Sequence, residues 1–330
     1  MKAVYFDEFG SPDVLYIKEV DKPVPAINEV LIKVKATSVN YGDLVARNFK
    51  NIPSREFNMP GVLWLITRFA FGLNKPNIHI LGSEYSGIVE STGSAVTRFK
   101  PGDEVFGYVG ESMGACAEYL RVREDSTIAL KPSNMSFEEA AVIPYGAIMA
   151  LYLLRKVNVR AGQNVLIIGA SGGIGSAAVQ IARATGARVT GVCGTNRVDY
   201  VKSLGAEKVI DYTREDYTTT GETYDLIFDV LGRGPVTACR AILKPGGIHF
   251  CASFKMKQLI NMLLTSRSDK RMICGIAPGR LQELLDIREM IEAGIFKSFP
   301  ARQFPMNHVA EAHRYAESKV RQGHVGIRIA

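Results

Sequence analysis

The sequence predicts an α/β fold in which a doubly wound parallel sheet is joined to a second, β-rich unit. Three observations carry that expectation. From residue 164 to residue 276, continuous apolar strands alternate with amphipathic helices, the pattern of a parallel sheet covered on both faces. A glycine-rich turn separates the first of these strands from the first helix. The first third of the chain holds short β-branched and aromatic runs cut by Gly, Pro and Asp turns, and the tail returns to that texture. A chain of 330 residues exceeds one ordinary core and suits two. The β-rich unit is assigned to 1–124 and 296–330, and the parallel-sheet unit to 125–295.

In chain order, strands are expected over 2–6, 30–40, 86–92 and 103–109, with a turn at Lys100-Pro101-Gly102-Asp103. The run 61–73, GVLWLITRFAFGL, holds the single tryptophan and is nearly all apolar. It is too short to span a bilayer and contains Arg68. Two readings stand, a buried helix acting as the lid of a pocket and an exposed patch touching membrane. Short apolar runs are usually core, which favours the lid. At Ser136 the texture turns helical, with Ser136 and Glu139 spaced as a capping box. Strands follow over 164–169, 188–193, 208–211, 225–230, 247–253 and 271–276, with helices over 175–186, 197–205 and 234–243. The tail supplies a helix over 280–294, a strand over 301–306, a helix from Asn307 and a final strand over 325–330. That strand is expected to fold back onto the N-terminal unit.

Composition narrows the function classes. The formal charge is +7, but the basic residues form no run of five or six and no aromatic interleaving, which argues against nucleic-acid binding. The N-terminus goes directly into a strand pattern, without the apolar core of a signal peptide. Five cysteines (Cys116, Cys193, Cys239, Cys251 and Cys274) lie far apart with no CxxC. A disulfide framework is therefore disfavoured, and a reducing, cytoplasmic setting is expected.

The strongest motif is the turn Gly169-Ala170-Ser171-Gly172-Gly173-Ile174-Gly175. Its GxxGxxG spacing lies between a buried strand and an amphipathic helix, where a pyrophosphate would need small residues and helix N–H groups. No Gly-Lys-Ser/Thr follows, so ATP is disfavoured. The second strand of the unit ends Val192-Cys193-Gly194-Thr195-Asn196-Arg197. It carries no carboxylate for a ribose 2′-hydroxyl, while its hydroxyl and arginine suit a 2′-phosphate. NADPH is the cofactor expected, on a Rossmann unit.

These motifs bring out a resemblance. SVNYGD at 38–43, ILGSEYSGIVESTGSAVTRFKPGDEVFG at 80–107, GASGGIGSAAVQIA at 169–182, VKSLGAEKVIDY at 201–212, YDLIFDVLG, LKPGG and EAHRYAES…GHVGI follow one another as in the zinc-independent medium-chain dehydrogenases/reductases. The chain resembles the quinone oxidoreductases of that group, zeta-crystallin-like proteins and the chloroplast-envelope quinone oxidoreductase-like branch. The resemblance implies a GroES-like β-rich catalytic domain, a Rossmann domain and an active site in the cleft between them. It implies that Asn40 and Asp43 lie near the nicotinamide, that Val230, Leu231, Ala252 and Ser253 flank its ring, and that Tyr212 lies near the adenosine phosphate. Gly323-His324-Val325-Gly326 departs from the family's lysine pattern, which argues against a cofactor contact by His324.

Zinc-dependent relatives use Cys and His ligands with an open position. Here the Gly-His-Glu position reads Gly82-Ser83-Glu84, Asn40 stands at the first cysteine position, and no cysteine lobe occurs. His308 and His313 are read as surface residues. No metal is expected. The acceptors implied are quinones or α,β-unsaturated carbonyls, with Tyr41 or solvent as proton donor; Tyr41 reads equally well as a packing residue. Trp64, Phe69 and Phe71 are expected at an apolar mouth. Two other readings are an alcohol dehydrogenase with a divergent site and a non-catalytic NADPH-binding scaffold. The strand at 271–276 is expected at a sheet edge, where a second copy would form a homodimer.

Overall fold

The computed structural model describes residues 1–299, 301–318 and 320–329; the last residue of the strand expected over 325–330 lies outside them. The chain divides into two compact units, one of Met1–Pro53, Leu65–Tyr145 and Gly279–Ala330, the other of Ser54–Trp64 and Gly146–Pro278. Its elements run β1 (Lys2–Tyr5), β2 (Tyr16–Glu19), β3 (Glu29–Ser38), α1 (Tyr41–Asn48), α2 (Gly61–Phe71), β4 (Glu84–Thr92), β5 (Glu104–Tyr108), β6 (Tyr119–Arg123), β7 (Ile128–Leu130) and α3 (Phe137–Ala140). Then come α4 (Pro144–Lys156), β8 (Asn164–Ile168), α5 (Gly173–Ala184), β9 (Arg188–Cys193), α6 (Val198–Ser203), β10 (Lys208–Asp211), β11 (Tyr224–Asp229), α7 (Val236–Ala241), β12 (Leu243–Cys251), α8 (Met256–Leu264) and β13 (Arg271–Cys274). The tail forms α9 (Leu281–Glu292), β14 (Ala301–Pro305), α10 (Val309–Glu317) and β15 (His324–Arg328).

The second unit holds a six-stranded sheet in the order β10-β9-β8-β11-β12-β13, every pair of it parallel. This is the doubly wound order, in which the chain reverses direction across the sheet between β8 and β11 and leaves a crevice at their carboxyl ends. Leu166, Ile168, Val192, Ile210, Ile227 and Leu243 form part of its core. The apolar runs are continuous rather than alternating because helices cover both faces.

In the first unit, β14, β15, β3, β4, β5 and β7 neighbour one another in that order, and β6 pairs with β3. The C-terminal strand does return to the N-terminal sheet, Gly326 opposite Ser38 and Ile327 opposite Thr37. Val30, Ile32 and Val34 alternate into a core with Tyr85, Val105, Leu120 and Ile128, the period-two pattern of a half-buried strand.

Four local readings change. The helical texture from Ser136 forms two helices, capped at Ser136 as expected. Pro144 begins the second: it lacks an N–H and disfavours helical backbone at the residue before it. The segment 61–73 does form a helix, but Phe71 is the only side chain of α2 that is buried, against Phe49 at 5.5 Å between ring centroids; Phe69 stays 61% exposed and Trp64 half-buried. A buried lid is therefore not what this run forms. The helix α8 was not expected at all. Lastly, His308 is exposed as expected, but His313 is fully buried, its Nδ1 2.9 Å from Nη1 of the equally buried Arg47. Burial, and then the Arg47 charge, lower its pKa to about 3.

Ile227, fully buried on the central strand β11, gives a direct check on the core. Ile227→Ala should lower stability by about 2–5 kcal/mol, read as a lower urea midpoint at unchanged slope.

Candidate active site

In the parallel-sheet unit, the glycines of the turn are required by contact distances. Gly169 leaves β8 with φ +83, a conformation that disfavours a Cβ. A Cβ on Gly175 would lie 2.1 Å from the Gly169 carbonyl oxygen, and one on Gly146 would lie 2.4 Å from that of Gly173. The first turn of α5 thus sits directly against the end of β8 and against α4. Gly172 precedes this helix without a side-chain cap, which suits an anion-binding cradle built from backbone N–H groups.

The other expected cofactor residues gather at the same carboxyl ends. The Gly169 Cβ position is 3.2 Å from Leu231 Cγ and 3.7 Å from Val230 Cβ. Asp229, fully buried, accepts the N–H groups of Leu231, Gly232 and Gly234 at 3.1, 2.8 and 2.8 Å and so fixes that turn. Its carbonyl accepts the Ala252 N–H at 2.9 Å, which brings Ala252 and Ser253 beside Val230. At the end of β9, Cys193 is buried, and burial raises its thiol to about 11. Thr195 donates to Asp211 Oδ2 at 2.6 Å and lies 2.9 Å from the Thr213 hydroxyl. That hydroxyl bond, followed in effect by those from Thr213, holds the Asp211 carboxyl below its ordinary value. Gly194 adjoins the exposed Tyr212 ring, and Arg197 is half-buried at the start of α6. The Asp211 carboxylate escaped the sequence reading because it comes from the neighbouring strand β10.

In the β-rich unit, Asn40, Asp43, Ser83 and Glu84 form one hydrogen-bonded cluster. Asn40 caps α1: its Oδ1 accepts the Gly42 N–H at 2.9 Å, and its own N–H donates to Asp43 Oδ2 at 2.9 Å. Its amide nitrogen donates to Ser83 Oγ at 2.7 Å and to Glu84 Oε2 at 3.0 Å. Asp43 is buried and also accepts the Gly82 N–H at 2.8 Å; burial raises its pKa to about 6. Glu84, equally buried, accepts from the Ser38 hydroxyl and, at 2.7 Å, from the Tyr145 N–H. Burial outweighs these bonds and lifts its pKa to about 7. Tyr41 stands half-exposed beside the cluster in sequence. Ser38, although it opens the SVNYGD motif, and Tyr145 were not singled out in the sequence as members of such a cluster.

The donor set bears on metal binding. At the positions where zinc relatives offer Cys and His, an amide, a hydroxyl and a carboxylate bond to one another. Amide and hydroxyl groups are poor zinc ligands beside thiolate and imidazole. Elsewhere among the described residues, Asp229, His249 and Cys251 are buried with ligand-type atoms within 4.8 Å of one another. There the Asp229 carboxylate already serves the three backbone N–H groups of its turn.

The raised pKa of Glu84 fixes a sign. Below pH 4.5 its carboxyl is neutral folded or unfolded; as pH rises towards 7 the unfolded chain ionises first, so this group costs the native state stability across that window. Glu84→Gln removes the titration. Urea unfolding should show the variant gaining on the parent protein between pH 4.5 and about pH 8; a constant difference would contradict a carboxyl held neutral by burial.

Two family models match the chain. Residues 26–149 match the alcohol dehydrogenase GroES-like domain and residues 204–325 the family described as zinc-binding dehydrogenase. The chain is 30% identical over 320 residues to a 2-methylene-furan-3-one reductase of Solanum lycopersicum, covering 89% of this chain and 76% of the relative. It is 30% identical over 353 residues to a chloroplastic NADPH-dependent alkenal/one oxidoreductase of Arabidopsis thaliana, covering 99% and 79%. The solved quinone oxidoreductase of Coxiella burnetii superposes with a TM-score of 0.85 at 27% identity, over 100% of this chain and 99% of that one. With a glycine cradle at the switch point of one unit and a polar cluster in the GroES-like unit, the chain belongs to the oxidoreductases of the medium-chain dehydrogenase/reductase family, on its quinone-oxidoreductase branch.

Proposed function

We propose that this oxidoreductase uses NADPH, without zinc, to reduce quinones or α,β-unsaturated carbonyl compounds. The observation that carries the reading is the turn at Gly169–Gly175, whose last glycine lies so close to the Gly169 carbonyl that no Cβ could be accommodated there. NADPH, when bound, supplies the hydride. The chain's own residues do the rest. The N–H groups at the start of α5 receive the pyrophosphate, and Val230, Leu231, Ala252 and Ser253 pack beside the nicotinamide. Thr195 and Arg197 receive the 2′-phosphate, with Tyr212 nearby, and Arg214, 3.6 Å from Asp211, offsets that carboxylate. The names of the relatives from tomato, Arabidopsis and Coxiella support both the cofactor and the acceptor class.

In the GroES-like unit both amide hydrogens of Asn40 are committed to Ser83 and Glu84, so Asn40 is proposed as a positioning residue, as is Asp43. Tyr41, the exposed first residue of α1, is proposed to hydrogen-bond the acceptor oxygen and deliver its proton. A homodimer is proposed through β13, an edge strand of its sheet, and the helix α2 is proposed as a membrane contact. A cytoplasmic setting is proposed from five free cysteines, four of them buried.

Steady-state assays over quinones and enones, with NADPH against NADH, test the reading. Turnover should favour NADPH and survive chelators. Chelator-sensitive alcohol oxidation would replace it with the alcohol dehydrogenase reading, and tight NADPH binding without turnover would replace it with a scaffold. Arg197→Ala should raise KM for NADPH about tenfold while changing KM for NADH little; Tyr41→Phe should lower kcat about 10²-fold at unchanged NADPH affinity.

A further inference from the structure

Within the parallel-sheet unit, two of the five cysteines stand side by side. Cys251 ends β12 and Cys274 ends β13, and the two are register partners. Partners on neighbouring strands lie about 4.8 Å apart, within the roughly 4.4–6.8 Å between Cα atoms that a disulfide spans. Both side chains leave the same face of the sheet, because paired residues of parallel strands alternate in step. They pack there with Phe254 and Met272 and, from α8, with Leu259 and Met262. Met262 also accepts the Cys274 N–H on its sulfur at 3.4 Å. Both cysteines are free thiols, and they hydrogen-bond to one another.

The two sulfurs are not equivalent. Cys251 is fully buried, whereas Cys274 is half-buried on an edge strand. The hydrogen bond from Cys251 favours the Cys274 thiolate and holds that thiol below its ordinary value, with burial opposing. The same bond, and then burial, push the Cys251 thiol up. A reachable thiolate beside a protonated thiol is the arrangement of an attacking and a resolving cysteine. The protonated partner needs a base, and one adjoins it. His249 Nε2 lies 3.7 Å from Cys251 Sγ, and Asp229 Oδ2 lies 3.7 Å from the same nitrogen. With the ring proton on Nδ1, Nε2 can accept the Cys251 proton, and the Asp229 carboxylate offsets the charge that the ring then gains.

We infer that Cys251 and Cys274 form an oxidation site, a dithiol that a hydroperoxide closes into a disulfide between β12 and β13. In the first step the Cys274 thiolate attacks a peroxide oxygen, the O–O bond breaks, and Cys274 becomes a sulfenic acid as hydroxide leaves. In the second step the Cys251 sulfur attacks the Cys274 sulfur and the S–O bond breaks. The Cys251 proton passes through His249 to the departing hydroxide, which leaves as water. Two thiols and one hydrogen peroxide thus give one disulfide and two waters, a two-electron oxidation. Cys251 runs directly into Ala252, whose N–H the Asp229 carbonyl accepts at 2.9 Å. The bond therefore forms at the root of the turn proposed to flank the nicotinamide. The oxidation needs no bound dinucleotide, so it stands or falls apart from the proposed reaction.

Thiol counting and peptide mapping of the full chain test this. The reduced protein, free of nucleotide, is treated with a small excess of hydrogen peroxide, denatured, alkylated and digested. It should lose two of its five thiols, and mass spectrometry should find the Cys251 and Cys274 peptides joined by a bond that dithiothreitol reverses. Cys116, Cys193 and Cys239 should remain fully alkylated. Cys251→Ser should stop at a sulfenic acid on Cys274, trapped by dimedone, and Cys274→Ser should slow peroxide consumption about tenfold or more. Because Cys251 is buried, a thermal melt checks that each variant is folded, while the thiol count of the parent protein reads the disulfide with no substitution at all. Retention of all five thiols, a bond joining any other pair, or a crosslink between two chains through Cys274 would overturn the inference. So would further oxidation of Cys274 with Cys251 left as a thiol.

Discussion

The approach of α5 to the end of β8 is the constraint on which the parallel-sheet unit depends. With Gly175 against the Gly169 carbonyl, the helix starts where the strand stops, and its N–H groups open onto the crevice of the doubly wound sheet. A methyl group at that glycine would push the helix from the strand and move the positive end of its dipole away from any bound anion. The same contact accounts for the neighbouring turn, because Leu231 and Val230 reach the space above Gly169 while Asp229 holds the N–H groups of Leu231, Gly232 and Gly234 in their loop.

The polar cluster of the GroES-like unit follows a comparable rule, with side chains satisfying helix starts. Asp43 is the third residue of α1 and closes its capping box, while its other oxygen takes the Gly82 N–H. Glu84 takes the N–H of Tyr145, the second residue of α4, from a distant part of the sequence. Both carboxyls therefore sit at the positive ends of helices, where a negative charge is favoured. Both are nonetheless so thoroughly removed from water that burial raises their pKa values to about 6 and 7. Desolvation wins over dipole and hydrogen bonds, and the cluster is left titrating near neutrality.

What could be read from the sequence divides along a physical line. The alternation of strands and helices, the glycine turn after the first of those strands and the return of the C-terminal strand were legible because continuous apolar runs, glycine spacing and turn chemistry are local signals. The capping box at Ser136 and Glu139 was legible for the same reason. The burial of His313 was not, since it depends on Arg47, more than 250 residues away in sequence. Asp211 was missed beside Thr195 because the expectation followed one strand, whereas the sheet sets β10 beside β9. The helix α8 was hidden in MKQLINMLL, where its apolar residues do follow helical spacing but the strands on either side dominate the texture. Asn40, Asp43, Ser83 and Glu84, which form the polar cluster of the GroES-like unit, stand in motifs visible in the sequence, yet the part played by Tyr145 emerges only from its backbone N–H.

The exposed helices invert the usual relation between hydropathy and burial. A short apolar run is read as core because water penalises its exposure, and an isolated surface leucine needs no explanation. Two outward faces of four apolar residues each are a different matter, since contiguous patches of this kind mark interaction sites. Leu259 and Met262 hold the inner face of α8 against Cys251, Phe254 and Met272, so its outer face cannot turn inward.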